Sequence, residues 1–533
     1  MKVLVSDRLH EVGLDLLRRE AEVDYRPGLQ GEEFRRALAG ADALIIRSGT
    51  RVTAEDLVLA RRLRVIGRAG VGVNNVDLEA ATEAGVLVVN VPDANTISAA
   101  EHTLALLLAL ARNIPAADAN LRRGGWDRKA FTGVELRGKI LGIIGLGRIG
   151  GTVARLAASF GIKVLAHDPY VSSHPTAELV ELDRLLKEAD FVTVHCPLNA
   201  QTRGLLGRRE LALMKGGSYL INVARGGIVD EAALAESLRA GHLAGVAADV
   251  FSTEPPPPDH PLLRAPRTVL TPHLGASTEE ALRRNAVVVA EQVLAVLRGE
   301  PAANAVNQPP VEPDEWREAE PFFALAEAVG RLYAQLPRVN PGRIEIWCAG
   351  IPAGPCFDLV TGYALKGALA TVLASPPNHI NATRVAAKRG ISVRATKLPD
   401  APALSPYPDV VAMGDEDIRV AMSLAGSGYP RLVYLNGYRL DIAPGRFTLV
   451  TVHRDVPGVV GMVGTRLGQA GVNIASMQVA RRLAGGEATM VVHLDEEPSP
   501  VSLAGMAGEG PIEQVYLLRL PGRLVNRADS AAS

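Results

Sequence analysis

Cysteine is scarce in this chain of 533 residues: the three copies, Cys196, Cys348 and Cys356, show neither the number nor the spacing of a disulfide framework or a metal site. We therefore expect free thiols, no metal and a cytoplasmic protein. The longest apolar stretch, TLALLLALA at 103–111, falls far short of the roughly 20 residues that cross a bilayer. The N-terminal segment shows no signal-peptide pattern, so we expect neither secretion nor a membrane partner.

An excess of charge of either sign is also missing. The 57 basic residues nearly balance the 58 acidic ones, which gives a formal net charge of −1. This balance gives no support to a nucleic-acid partner or an anionic membrane surface. The apolar fraction of 47% is ordinary for a folded protein, and the length suggests three or four domains.

Periodicity divides the chain into successive units. Residues 1–95 alternate short apolar runs with helical patterns, which predicts an α/β layer with a parallel sheet, and 98–112 reads as a buried helix. A second α/β series runs from LRGKILGIIGLGRIG to about residue 275. The proline-rich and acidic stretch 299–321 is typical of a linker, and 322–445 mixes both patterns without a motif.

The stretch GLGRIG places Gly145, Gly147 and Gly150 between an apolar strand and a helix. A GxGxxG pattern alone is weak, since many glycine-rich turns are structural, but a strand–turn–helix setting favours dinucleotide binding. Asp168 follows at the end of the next predicted strand, where a carboxylate accepts hydrogen bonds from ribose hydroxyls and repels a 2′-phosphate. The expected cofactor is therefore NAD.

Three further strand-like runs end in polar residues, at Arg225, Glu254 and His273. The carboxyl ends of parallel strands line the ligand crevice of an open sheet, so these side chains are expected to converge there. Arg225 would hold a carboxylate, His273 would exchange a proton with the substrate oxygen, and Glu254 would orient the imidazole. Asp249 is expected at the nicotinamide edge. Taken singly, the three residues are better read as a surface arginine, a linker glutamate and a core histidine; their joint order after a dinucleotide fold favours the catalytic interpretation.

The segments ARGGIVDE, DVFSTEP, TPHLGAST and GRAGVGVNNVDLEAA resemble the signatures of the D-isomer-specific 2-hydroxyacid dehydrogenases over roughly the first 300 residues. The resemblance places the family's catalytic residues on Arg225, Glu254 and His273. It implies two Rossmann-like doubly wound domains of the α/β class. One is a flavodoxin-like substrate domain at 1–96 and 279–300, and the other an NAD-binding Rossmann domain at 97–278.

The same resemblance implies further site residues. On the cofactor side, beside the glycines, Asp168 and Asp249, it adds Val71, Arg148, Ile149, Cys196, Ala224, Arg225, His273, Gly275 and Ala276. On the substrate side it adds Arg47, Ser48, Gly70, Gly72, Asn95 and Arg225. Arg68 and Lys129 are weaker candidates, Lys129 from a second copy of the chain. The alternatives are a solvated strand-end arginine at Arg47 and an inert thiol at Cys196.

The C-terminal segment HRDVPGVVGMVGTRLGQAGVNIASMQV resembles an ACT domain, a small α+β (ferredoxin-like) amino-acid sensor, here at 447–525 after a linker and intervening regulatory domain at 301–446. The resemblance places His453, Asp455 and Asn473 around a bound amino acid, with Asp455 near its ammonium group. The alternative is an interaction domain with ordinary polar loop residues.

Relatives with this arrangement oxidise 3-phosphoglycerate to 3-phosphohydroxypyruvate with NAD, the first step of serine biosynthesis, and L-serine inhibits them. The resemblance therefore implies that activity, a serine effector and a homo-oligomer, either a dimer or a tetramer. Two rivals stay open: a dehydrogenase of hydroxypyruvate or glyoxylate, and a non-catalytic regulator that responds to NAD.

Overall fold

The computed structural model describes residues 1–339, 342–352, 354–373, 376–401, 404–415, 418–425, 428–508 and 510–522. Its first unit is a five-stranded parallel sheet of order β2-β1-β3-β4-β5, the flavodoxin-like order. The strands are β1 (Lys2–Val5), β2 (Glu22–Tyr25), β3 (Ala43–Ile46), β4 (Val65–Arg68) and β5 (Leu87–Val89). The helices beside them are α1 (Glu11–Arg18), α2 (Gly31–Ala39), α3 (Ala54–Leu59) and α4 (Leu78–Glu83). All four residues of β3 are buried, as expected of a strand that helices cover on both faces.

Two helices lead to the second sheet. The largely buried α5 (Thr96–Ala111) packs against the next unit, whereas α6 (Ile114–Arg122) has no buried residue. Ile114, Leu121 and Trp126 are exposed on and just after α6.

The second sheet has seven parallel strands in the order β12-β11-β10-β9-β6-β7-β8. Its strands are β6 (Ile140–Ile144), β7 (Lys163–His167), β8 (Glu178–Leu179), β9 (Phe191–Val194), β10 (Tyr219–Asn222), β11 (Gly245–Ala248) and β12 (Thr268–Leu270). Its helices are α7 (Arg148–Ala158), α8 (Leu182–Glu188), α9 (Arg208–Leu213), α10 (Glu231–Arg239) and a 3₁₀ turn at Pro261–Arg264. The strand order reverses between β6 and β9, and in doubly wound sheets this switch point marks the ligand crevice.

Helix α11 (Glu279–Arg298) returns the chain to the first sheet. It packs on α1, where Gly13 lies so close that a Cβ atom would be 2.7 Å from the carbonyl oxygen of Ala286. Val289 and Val293 of α11 join the core of the first unit. The chain therefore crosses twice between the two units, and the loop at Gly72 of the first lies against Arg225 of the second.

A third unit follows α11. It has α12 (Pro313–Tyr333), β13 (Arg343–Ala349), α13 (Pro355–Ala370), α14 (Ala382–Lys388), β14 (Ser392–Lys397), β15 (Val410–Gly414), β16 (Arg419–Leu424), β17 (Pro430–Leu435) and β18 (Tyr438–Ile442). The prediction of a linker as far as residue 321 is wrong beyond 312, because α12 begins at Pro313 and continues through Pro321. Proline in the first turn followed by Asp314 and Glu315 is a helix-start signal. The high content of proline and acidic residues in this stretch favoured the linker interpretation over the helix start.

The third unit contacts the first through α14. Asn381 Nδ2 donates to the carbonyl of Glu83 at 2.9 Å, and Asn378 Nδ2 donates to that of Gly85 at 2.6 Å. A cavity of about 1050 Å³ lies between these two units, and its lining includes none of the predicted site residues.

The last unit is a four-stranded antiparallel sheet of order β20-β21-β19-β22. Its elements are β19 (Phe447–Arg454), α15 (Val459–Gln469), β20 (Ile474–Arg481), β21 (Glu487–Leu494), α16 (Pro500–Ala504) and β22 (Ile512–Arg519). The βαββαβ sequence in this order is ferredoxin-like. The predicted fold class is confirmed; residues 523–525 of the predicted last domain lie outside the described residues. Among the described helices, none is long and apolar enough to cross a membrane.

Candidate active site and nucleotide-binding site

The glycine-rich turn joins β6 to α7. Gly145 has a φ of 92°, and a Cβ atom there would lie 2.7 Å from the backbone nitrogen of Cys196. Gly150 packs against the carbonyl of Gly145 too closely for any side chain. At Gly147, in contrast, a Cβ atom would meet nothing within 4 Å. The turn therefore leaves open space at the N-terminus of α7, where backbone N–H groups suit a pyrophosphate.

Asp168 follows β7 and braces this turn. Its Oδ2 accepts a hydrogen bond from Leu146 N at 2.7 Å, and its Oδ1 accepts one from Tyr170 N at 2.9 Å. Each carboxylate oxygen keeps acceptor capacity for a ribose hydroxyl. Burial raises the pKa of the nearby Cys196 thiol, and the charge of Asp168 adds to this effect. The thiol is therefore protonated and unreactive.

Other predicted cofactor-side residues lie in loops around the turn. Arg148, the first residue of α7, pairs through Nε with Asp93 Oδ1 at 2.7 Å, so its guanidinium connects α7 to the loop after β5. The backbone carbonyl of Val71 accepts a hydrogen bond from Asn90 Nδ2 at 2.7 Å. The remaining members of the set are the half-buried Ile149 in α7, Ala224 after β10, and Gly275 and Ala276 after β12.

Arg225 lies just beyond the carboxyl end of β10. Asn222 closes the strand, since its Nδ2 donates to the carbonyl of Arg225 at 3.0 Å and its Oδ1 accepts from Ala224 N at 3.1 Å. Arg225 Nη1 donates to the carbonyl of Ala224 at 2.7 Å. Burial lowers the pKa of Arg225, while the charge of Glu254 acts in the opposite direction. The guanidinium is therefore held partly desolvated in the crevice.

Glu254 and His273 form a direct pair: Glu254 Oε2 lies 2.7 Å from His273 Nδ1. The other carboxylate oxygen accepts a hydrogen bond from Phe251 N at 3.1 Å. Burial alone would raise the pKa of Glu254, but the bonds from His273 and Phe251 bring it below its ordinary value. An ionised carboxylate only accepts, so Nδ1 carries the proton and Nε2 is free to face a substrate.

Asp249, after β11, lies behind the histidine. Its carboxylate accepts hydrogen bonds from Thr271 Oγ1, Leu274 N and Gly275 N, at 2.6, 2.7 and 2.8 Å. Its backbone carbonyl accepts one from His273 N at 2.8 Å, which holds His273 at a φ of 55°. Because Asp249 is 0% exposed, its carboxylate has no surface towards the crevice. Asp249 therefore supports the histidine loop, and its place at the nicotinamide edge stays a prediction.

The first sheet adds two arginines beside Arg225. Burial, and after it the charges of Arg225 and Arg47, lower the pKa of Arg68 to about 10, while the charge of Asp7 acts in the opposite direction. The buried Arg68 Nε has no hydrogen-bond partner within the described ranges. Gly70 and Gly72 leave room for these side chains, since a Cβ atom at Gly72 would be 2.5 Å from Arg225 Nη2. Arg68 is thus influenced by two cations, Arg225 and Arg47, and by one anion, Asp7, and this excess of positive charge suits an anion.

The loop carrying Arg47 and Ser48 is held by residues that the sequence reasoning missed. Asp7 Oδ2 accepts hydrogen bonds from Arg47 N at 2.6 Å and Thr50 N at 3.0 Å. Asn75 Nδ2 donates to the carbonyls of Arg47 and Thr50, both at 2.6 Å. Asp7 follows the end of β1, so the strand-end argument that located Arg225 would also have located it.

Two other predicted substrate-side residues differ in their surroundings. Asn95 Oδ1 is buried and has no hydrogen-bond partner within the described ranges, as expected of an acceptor that awaits a ligand. Lys129 is exposed, and its contribution from a second copy stays a prediction.

The predicted effector residues are not brought together within one chain. Asp455 follows β19 and accepts from Arg481 Nη1 at 2.8 Å and Gly485 N at 3.1 Å, and burial lowers the pKa of the nearby His453. Asn473 donates to Asp495 Oδ2 at 2.6 Å, at the end of the sheet where β19 begins. The length of β19 separates the two places, roughly 25 Å at ~3.3 Å per residue.

Comparison with known proteins agrees with this geometry. Three family models match: the NAD-binding domain of D-isomer-specific 2-hydroxyacid dehydrogenases at 104–275, the D-3-phosphoglycerate dehydrogenase intervening domain at 318–436, and the ACT domain at 447–503.

Several curated relatives match over almost their whole length. D-3-phosphoglycerate dehydrogenase of Methanocaldococcus jannaschii is 42% identical over 93% of this chain and 95% of its own. That of Archaeoglobus fulgidus is 39% identical over 97% of this chain and 100% of its own. Among solved structures, NAD-dependent formate dehydrogenase from Staphylococcus aureus in complex with NAD is 33% identical, with a TM-score of 0.52 over 56% of this chain and 97% of that one.

The chain therefore belongs to the D-3-phosphoglycerate dehydrogenase family, and its nucleotide-binding unit is that of an NAD-dependent D-isomer-specific 2-hydroxyacid dehydrogenase.

Proposed function

We propose that this protein oxidises D-3-phosphoglycerate to 3-phosphohydroxypyruvate with NAD, and so opens a route to L-serine. The observation that carries the proposal is the convergence of Arg47, Arg68 and Arg225 beside the Glu254–His273 pair. A substrate with a carboxylate at one end and a phosphate at the other neutralises such a cluster, whereas glyoxylate or hydroxypyruvate offers a single carboxylate. The pairing of the His273 imidazole with Glu254 suits proton transfer, which a purely regulatory protein would not need.

In the proposed mechanism, Arg225 holds the substrate carboxylate through two hydrogen bonds and fixes C2 in the crevice. His273 Nε2 accepts the proton of the C2 hydroxyl as that oxygen becomes a carbonyl. The turn at Gly145–Gly150 and Asp168 would hold NAD, whose nicotinamide would supply the acceptor for the hydride that leaves C2. Glu254 holds the protonated Nδ1 and stabilises the imidazolium that results. The steps yield the 2-oxo acid, NADH and one proton.

Arg47 and Arg68 are proposed to bind the phosphate, with Ser48 and Asn95 as hydrogen-bonding partners. Arg68 Nε and Asn95 Oδ1 are both buried without partners in the described part of the chain, and each such group costs about 1–3 kcal/mol. A bound ligand would satisfy Arg68 directly. Asn95 Oδ1 needs a donor, which a ligand hydroxyl supplies.

The last unit is proposed to bind L-serine. Within one chain, Asp455 and Asn473 lie near opposite ends of β19. A site that uses both therefore requires two copies of the chain. A homo-oligomer also explains Ile114, Leu121 and Trp126, which one chain leaves exposed. We propose that the substrate and NAD-binding domains meet at 96/97 and 278/279, that the intervening domain begins at 300/301, and that the last domain begins at 446/447. The three free thiols support a cytoplasmic location.

The proposed activity is tested by the absorbance of NADH. We expect the purified chain to reduce NAD with D-3-phosphoglycerate, faster at alkaline pH because the reaction releases a proton. With D-glycerate, kcat/KM should fall at least tenfold, since the phosphate contacts are lost. Faster turnover of D-glycerate, glyoxylate or hydroxypyruvate than of the phosphorylated substrate pair would contradict the substrate assignment.

Replacing Arg68 by Met tests the phosphate contact. A hydrogen bond to a charged group contributes about 1.5–3 kcal/mol, so KM for D-3-phosphoglycerate should rise roughly tenfold to a hundredfold. The rate with D-glycerate should change little, and the midpoint of thermal unfolding should not fall, because one of three repelling charges is removed. The matched control is Arg61→Met, on an exposed residue. Equal losses with both substrates would refute the assignment.

Replacing His273 by Ala tests the proton transfer. We expect kcat to fall by about 10²–10⁴-fold, the usual contribution of general acid–base catalysis, while NADH binding measured by fluorescence stays nearly unchanged. His10→Ala is the control, because His10 also pairs with a carboxylate, that of Glu279 at 2.8 Å, on the surface. A His273→Ala variant with unaltered kcat would remove the histidine from the mechanism.

A further inference from the structure

Glu231 joins the signature that contains Arg225 to the loop that contains Glu254. It is the first residue of α10, six residues after Arg225, and its side chain is only 12% exposed. Its Oε1 accepts a hydrogen bond from Ser252 N at 2.7 Å, and its Oε2 accepts one from Ser252 Oγ at 2.6 Å. Both bonds reach a residue two positions before Glu254.

The same carboxylate also holds the far end of that loop. His260 Nε2 lies 2.9 Å from Glu231 Oε2, and Leu262 N donates to His260 Nδ1 at 3.4 Å. Since Nδ1 accepts, Nε2 carries the proton and donates to Glu231. His260 is 6% exposed and packs edge-on against Phe251, with ring centroids 5.4 Å apart. Glu231 therefore fixes both ends of the segment 252–260.

The start of the loop also packs closely against Gly226. A Cβ atom at Gly226 would clash with the backbone of Phe251 and Ser252. Phe251 N in turn donates to Glu254 Oε1, the carboxylate that holds His273. Glu231 is thus linked to Glu254 in three steps: its hydrogen bonds to Ser252, the peptide bond from Ser252 to Phe251, and the hydrogen bond from Phe251 N to Glu254.

We propose that Glu231, Ser252 and His260 form a positioning network that holds Glu254 in the place where it orients His273. None of the three is assigned contact with substrate or cofactor; they act through Glu254. The network rests on the proposed roles of Glu254 and His273 but not on the identity of the hydroxy acid. A displacement of about 1 Å in such a supporting group costs up to a hundredfold in rate.

A double-mutant cycle tests this proposal. Glu231→Gln keeps the size of the side chain, but its amide nitrogen cannot accept from Ser252 or His260. We expect kcat to fall about tenfold in the parent chain and less than twofold in a Glu254→Gln background, because there the network has no carboxylate left to position. The matched control is Glu236→Gln on the same helix, where the exposed carboxylate pairs with Arg208; its kcat should be unchanged.

Equal fold losses in the two backgrounds would overturn the proposal, since a purely structural role lowers kcat whether or not Glu254 is present. An unchanged kcat in either Glu231→Gln or Glu254→Gln alone would also overturn it. If Glu231→Gln does not fold, Ser252→Ala, at an exposed position, takes its place in the cycle with a smaller expected loss of two- to threefold and the same criterion. The cycle uses whichever 2-hydroxy acid the parent chain oxidises, so failure of the phosphorylated substrate is distinguished from failure of the network.

Discussion

The rest of the active site is arranged around one hydrogen bond, from His273 Nδ1 to the Glu254 carboxylate. It fixes which imidazole nitrogen carries the proton, and therefore which one faces the crevice. Both partners lie on irregular segments, so neither is positioned by a strand or helix itself. Asp249 holds the histidine loop from behind with its side chain and backbone carbonyl. Much of the polar structure near the edge of the second sheet supports this single contact.

The other constraint is the cluster of positive charge where the carboxyl ends of β3 and β4 of the first sheet meet the loop after β10. Burial is the main cause that lowers the pKa of Arg68; the charges of Arg225 and Arg47 add to it and that of Asp7 opposes it, so keeping this guanidinium charged costs free energy. An arrangement that costs stability without a ligand indicates a function for that charge. The double crossing between the first two units, completed by α11, brings Arg47 and Arg68 of the first unit close to Arg225 of the second.

Much of this arrangement could be predicted from the sequence because it rests on local signals. The turn at Gly145 and the polar residues at strand ends follow from backbone geometry, and Arg225 and His273 lie where the pattern predicts. Burial was not predictable in the same way: the pattern places Asp249 at a strand end but does not show that its carboxylate turns inward. The linker prediction failed at Pro313 because composition outweighed a helix-start signal. The separation of Asp455 from Asn473 depends on strand register, which a single strand does not reveal.

The central claim is that one crevice places a carboxylate on Arg225 and a hydroxyl on His273 at the same time. The most direct measurement is a crystal structure of the full chain with NADH and D-3-phosphoglycerate, a pair that cannot react. The account predicts the substrate carboxylate and its C2 hydroxyl at hydrogen-bond distance, about 3 Å, from Arg225 and from His273 Nε2, with the phosphate at Arg47 and Arg68. A substrate bound with its hydroxyl more than about 5 Å from His273 Nε2, or with its carboxylate away from Arg225, would contradict it.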